Sequence, residues 1–134
     1  MAEPWWLPRH LAETAHAIAL ERDGGLPGVR DTSGLEASLA TPKNLWAYGG
    51  EDNLFALAAA LLVAMAKAHS FNDANKRTSI SCALMFLGGN GIQIGVDDDD
   101  LVFHTVRAAR CRQADRDQEV DSIALWLQLA ALRR

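Results

Sequence analysis

The sequence predicts an all-α fold, a bundle of about six helices around a central hairpin of two apolar helices. Three observations point there. Apolar residues recur at helical spacing along most of the chain. Its two most apolar stretches, Asn53 to Ala68 and Asn75 to Leu87, are separated only by a short polar loop. Glycine, proline and aspartate clusters punctuate the remainder at short intervals.

The first helix is expected from about Pro8 to Arg22, with Leu11, Ala15, Ile18 and Ala19 on one stripe. Asp23 to Gly28 stops it, because its glycines permit positive φ and Pro27 lacks a donor. Ser33 and Glu36 fit a capping box that opens a short helix through Leu39. Thr41 to Asp52 contains Pro42, Gly49 and Gly50 and is expected to form an ordered, flap-like loop or short hairpin. The helix from Asn53 to Ala68 is apolar on all sides, the mark of a central buried helix. Helical spacing resumes at Asn75, with Ile80, Ala83, Leu84 and Leu87 on one face, and Gly88 to Gly91 ends it. Ile92 to Val96 alternates like a short strand or an extended segment. Asp97 to Asp100 then caps a helix through Arg110, and a final helix runs from about Glu119 to Leu132.

The 134 residues favour one domain, 1–134, with enough chain for a core that needs no staples. A formal net charge of -4 argues against a surface built mainly for nucleic acid. Cys82 and Cys111 form no CxxC and are too few for a disulfide framework; Cys82 sits in an apolar pattern and reads as a buried, reduced thiol. The opening Met1-Ala2-Glu3-Pro4-Trp5-Trp6 does not read as a secretory signal. The longest apolar run, Leu54 to Ala66, is too short to span a bilayer. The expectation is a cytoplasmic protein without a membrane or direct nucleic-acid partner.

The polar loop carries the chemistry. It reads His69-Ser70-Phe71-Asn72-Asp73-Ala74-Asn75-Lys76-Arg77. Asn75 begins a helix, so the free N–H groups of that first turn, with the helix dipole, form an anion site. Cations are disfavoured at such an end, and Lys76 and Arg77 therefore point to a negative ligand that neutralises them. Arg77 is suited to binding phosphate oxygens through paired N–H bonds, and Lys76 adds a point charge. Asp73 offers one oxygen ligand, enough for a Mg²⁺ held mainly by nucleotide phosphates and water. His69 is the plausible general base of the set. Phe71 alternates with the polar residues and reads as the anchor that pins the loop to the core.

At these residues the chain resembles the Fic/Doc family. His-x-Phe-x-Asp-Ala-Asn-Lys-Arg matches the Doc variant of the Fic motif, found in death-on-curing toxins; the general form is His-Pro-Phe-x-x-Gly-Asn-Gly-Arg. The similarity also takes in Gly24 to Gly28, Arg30-Asp31, Gly34-Leu35-Glu36, Tyr48-Gly49, Thr78, Leu84 to Leu87 and Asn90-Gly91. The resemblance implies a Fic/Doc-like helical bundle. It makes His69 the base for the target hydroxyl, Asp73 the Mg²⁺-binding acid, and Asn75 and Arg77 phosphate-binding positions. Ala74 and Lys76 stand where the general motif has glycines. General Fic proteins transfer AMP from ATP, whereas Doc-like members transfer its terminal phosphate to elongation factor Tu. The implied function is an ATP-dependent, kinase-like toxin that stops translation, with AMP transfer as the alternative on the same fold. A binding module that has lost turnover is a third reading, opposed by the intact His69, Asp73 and Arg77.

Ser70 replaces the proline of the general motif, which predicts a less stiff loop. Thr32 to Ala37 lacks the last residue of an internal inhibitory motif, which points to an antitoxin on a separate chain. That partner is expected near Thr41 to Asp52 or beside the final helix, where Ile123 to Leu127 is apolar. The simpler reading of that run is that it closes the core. The loop itself could be an ordinary polar turn, with Asn75 as a cap and Lys76 and Arg77 solvated. Its density of reactive groups argues against that. His10, His16 and His104 are expected at surface or boundary positions. Asp97 to Asp100 is expected to be a helix N-terminus rather than a cation loop. Trp5, Trp6 and Trp126 are expected to cap a core.

Overall fold

A computed structural model of the chain describes residues 2–95 and 98–132. Within them lie helices α1 (Arg9–Asp23), α2 (Thr32–Gly49), α3 (Leu54–Ala68), α4 (Asn75–Gly89), α5 (Asp98–Arg110) and α6 (Arg116–Leu132), with one 3-10 turn at Gln113–Asp115. The described residues contain no strand, only an isolated antiparallel bridge between Val29 and Phe71. The all-α expectation holds. No helix among the described residues is long and apolar enough to cross a membrane.

Helix α3 is the axis. Every residue from Leu57 to Ala66 is buried, and α2, α4, α5 and α6 all pack against it. Alanine supplies high helix propensity, and its small side chain lets neighbouring helices approach closely. Asn53 starts the helix: its Oδ1 accepts from the N–H groups of Phe55 and Ala56, at 2.9 and 3.1 Å. Helix α4 completes the central hairpin, burying Cys82, Ala83, Phe86 and Leu87. Burial pushes the Cys82 thiol up to about 12, and both cysteines are free.

Helix α2 departs from expectation. It begins earlier, with Asp31 rather than Ser33 as its cap, and Asp31 Oδ1 accepts from Gly34 N at 2.9 Å. Glu36 is drawn to Arg9 at 3.0 Å instead of closing a capping box. The expected loop or hairpin from Thr41 is helical through Gly49, with Pro42 inside the helix. Leu35, Ser38 and Pro42 are buried at helical spacing, so tertiary packing overrides the local proline signal. The left-handed Gly50, at φ 71°, supplies the stop.

Three further differences are small. The stripe of α1 is Ala12, Ala15, His16 and Ala19, while Ile18 is exposed. Residues 92–95 are irregular rather than a strand; Val96, and Asp97 of the acidic run, lie outside the described residues. Helix α6 starts at Arg116, three residues before the expected start. Its apolar run does close the core, since Ile123 and Leu127 are buried, but Leu125 and Leu129 are exposed. Trp6 stacks on Phe86 at 6.0 Å and meets Trp46 edge-on. Trp126 stacks on a half-buried His104 at 4.2 Å.

Asp31→Ala tests the corrected start of α2. Loss of an N-cap of this kind costs about 0.5–2 kcal/mol. Chemical denaturation should show that loss for Asp31→Ala, while Ser33→Ala stays close to the wild type. The reverse order would restore Ser33 as the cap.

Candidate active site

The loop between α3 and α4 has its first and last residues in left-handed conformations. His69, the C-cap of α3, has φ 49° and ψ 45°. Ala74, the residue before α4, has φ 63° and ψ 26°. Neither is glycine, and side chains disfavour this region, so the surrounding structure must hold them there. Ala74 also shows why the general motif has a glycine at this position.

Between these turns the side chains sort cleanly. Ser70 and Phe71 are buried, whereas His69, Asn72 and Asp73 are exposed. Phe71, at 1% exposure, is the expected anchor. Asn75 closes the loop over it: Asn75 Oδ1 accepts from Phe71 N, and Asn75 Nδ2 donates to Phe71 O, both at 2.9 Å. The Asn75 amide is therefore committed inside the loop. What it can present to an anion is its backbone N–H.

A second clamp comes from the turn between α1 and α2. Ser70 O accepts from Arg30 N at 2.7 Å and Asp31 N at 3.0 Å, and Asn72 N donates to Gly28 O at 3.2 Å. Arg30 Nη2 donates to His69 O at 2.9 Å. The Asn72 side chain reaches Pro27 O at 3.0 Å. These bonds tie the Ser70 segment, which lacks the proline of the general motif, to the turn between α1 and α2. Several of the flanking residues in the motif resemblance are thus physical supports of the loop.

His69, Asp73, Lys76 and Arg77 are the exposed candidate groups of the loop. Asp73 is anchored through Oδ2, which accepts from Leu26 N at 2.8 Å. Gly25 makes room for it: a Cβ there would lie 3.1 Å from Asp73 Cβ, at a backbone φ of 123°. Among the described residues no cluster of three or more His, Cys, Asp or Glu could hold a metal ion alone. A single exposed carboxylate nevertheless fits Mg²⁺, which usually takes one or two carboxylates and fills its shell with phosphate oxygens and water. No side chain caps the first turn of α4. Lys76 and Arg77 stand exposed beside that turn. Arg77 Nε pairs with Asp23 at 2.8 Å, with both side chains about half exposed. Such a surface pair contributes about 0–1 kcal/mol, so a phosphate can displace it.

Sequence reasoning missed His16. It is 5% exposed, not a boundary residue, and its ring stacks on Phe71 at 3.9 Å. Its Nε2 lies 2.9 Å from Asp73 O. The signal was available: His16 falls at helical spacing between Ala12 and Ala19, a polar side chain within the buried stripe. His10 is exposed, as expected. His104 lies at a boundary, and burial is the main cause lowering its pKa.

Residues 6–87, which contain α1 to α3, nearly all of α4 and the whole loop, match the model of the Fic/DOC family. The chain is 44% identical over 94 residues to "Protein kinase doc" of Escherichia phage P1, covering 70% of this chain and 74% of that one. It is 37% identical over 125 residues to "Toxin Doc" of Mycolicibacterium smegmatis, covering 91% and 90%.

Phe71→Ala should lower stability by about 3–5 kcal/mol, the usual cost of removing a buried aromatic ring. Thermal melts of the two proteins measure it. An unchanged melting temperature would mean that Phe71 does not anchor the loop.

Proposed function

The chain belongs to the Fic/DOC family, and on that premise we propose that it is a toxin-like phosphotransferase that moves the terminal phosphate of ATP to a hydroxyl of elongation factor Tu. The observation that carries this reading is the uncapped first turn of α4, flanked by exposed Lys76 and Arg77 and joined through one clamped loop to an exposed His69. An anion site and a base are thereby linked by only a few residues of held backbone.

In this reading the N–H groups that open α4 receive phosphate oxygens. Arg77 leaves Asp23 and binds them through its planar fork, while Lys76 adds positive charge. Asp73 would hold Mg²⁺, which supplies charge neutralisation on the phosphates. His69 takes the proton of the target hydroxyl as its oxygen attacks the terminal phosphorus. The bond from that phosphorus to the bridging oxygen breaks, and ADP leaves with the electron pair. Positioning and charge supply most of the acceleration in such transfers.

Two features support phosphate transfer over AMP transfer. The phage P1 relative, 44% identical over 94 residues, carries the name "Protein kinase doc". Ala74 and Lys76 replace two glycines of the general motif, and side chains there restrict how closely a ligand meets the backbone. A separate antitoxin belongs to the same reading. Leu45 and Tyr48 on α2 and Leu125 and Leu129 on α6 are exposed apolar residues that a partner helix could cover.

Incubation with elongation factor Tu and ATP, followed by intact mass of the target, tests the proposal. Addition of one phosphate is expected; addition of AMP would replace this reading with the alternative. His69→Ala should keep its helical spectrum and lose about two to four powers of ten in rate. Near-normal turnover by a folded His69→Ala protein would remove His69 from the chemistry. Asp73→Asn should chiefly raise the Mg²⁺ requirement and Arg77→Ala chiefly the ATP requirement. Indistinguishable titrations would contradict that division.

A further inference from the structure

We propose that His16 is a positioning residue of the site: its Nε2–H fixes the Asp73 backbone, and through it the Asp73 carboxylate. Its kinetic consequence rests on the proposed function; its structural consequence does not.

His16 belongs to α1, away from the loop in sequence, yet it touches the loop twice. Its ring lies on Phe71 with 14° between the planes. Its Nε2 is 2.9 Å from the Asp73 carbonyl. A backbone carbonyl only accepts, so the imidazole proton is on Nε2. Simple core filling accounts for the stack but not for a donor aimed at this carbonyl. The carbonyl belongs to the peptide that leads into Ala74, the left-handed residue that opens α4. One hydrogen bond therefore restrains both the Asp73 peptide and an otherwise disfavoured turn.

The other end of Asp73 is held independently. Leu26 N donates to its carboxylate at 2.8 Å, beside the close approach of Gly25. Asp73 is thus gripped by α1 through its carbonyl and by the turn after α1 through its carboxylate. Release of the first grip lets the peptide rotate and carries the carboxylate away from Leu26. A metal-binding carboxylate positioned this way depends on its supporting partner, and loss of such partners typically costs about 10–100-fold in metal affinity.

Three substitutions separate the donor from the ring. His16→Phe keeps an aromatic ring over Phe71 and removes the donor. His16→Gln keeps an N–H donor and removes the ring. His16→Leu removes both and takes the place of His16→Phe if that protein does not fold. Two quantities are read: the Mg²⁺ concentration giving half-maximal phosphate transfer, and the exchange rate of the Leu26 amide by NMR.

For the donorless proteins, half-saturating Mg²⁺ should rise about tenfold or more, and the Leu26 amide should exchange about tenfold faster. His16→Gln should remain within about threefold of wild type in Mg²⁺ requirement, well short of the shift expected when a supporting partner is lost. Wild-type Mg²⁺ dependence and Leu26 exchange in the donorless proteins would overturn the proposal. So would an equal shift in folded His16→Gln, because the shift would then follow any change of side chain at position 16 and not the loss of the donor. If the wild-type protein transfers no phosphate to elongation factor Tu, the functional reading fails, and Leu26 exchange alone decides the role of His16.

Discussion

Asn75 and the backbone of Phe71 exchange two hydrogen bonds across the base of the loop, and the site depends on that closure. It holds the chain in a tight return between two helices that are themselves packed together. Phe71 is directed into the core, while His69, Asn72 and Asp73 are exposed. The same bonds occupy the side chain at the start of α4, and Ala74 before it has no polar side chain to accept from the first-turn N–H groups. The first turn of α4 therefore has no side-chain cap. In most proteins an uncapped, cation-flanked helix end would be a defect. Here the closure that leaves it uncapped also presents His69 and Asp73 to solvent beside it.

The supports around the loop share one design. Each acts mainly on its backbone, which leaves reactive side chains available. Arg30 and Asp31 hold Ser70 O, His16 bonds to Asp73 O and Arg30 also bonds to His69 O. Asp73, Asn72 and Arg77 are exceptions: one Asp73 carboxylate oxygen accepts from Leu26, the Asn72 amide donates to Pro27 O, and Arg77 pairs with Asp23. Local positive charge from Arg30, Lys76 and Arg77 coexists with an overall charge of -4.

Much of this was legible because local and tertiary signals agreed. Asn53 before an apolar run marked the start of α3, and the polar insertion after Ala68 marked the loop. Phe71 stood out as the one large apolar residue among polar ones. Where signals conflicted, packing decided. Pro42 breaks a helix locally, but its position at helical spacing from Leu35 and Ser38 continues α2. Ser33 and Glu36 make a plausible cap, yet Asp31 lies just upstream and Arg9 draws Glu36 away. The roles of His16 and the Asn75 amide required contacts between segments distant in sequence or a loop closed on itself. Neither is encoded in spacing alone.

The hydrogen bonds that close the loop lie within the chain itself, so the loop should be formed in the free protein. Amide hydrogen exchange in the free protein, repeated with a non-hydrolysable ATP analogue and Mg²⁺, tests it directly. The Phe71 and Asn72 amides, bonded to Asn75 and Gly28, should already be protected in the free protein. The Asn75, Lys76 and Arg77 amides should gain protection only with nucleotide, because they open α4 without a side-chain cap. Unprotected Phe71 and Asn72 amides that become slow only with nucleotide would contradict the claim, showing a loop assembled by its ligand.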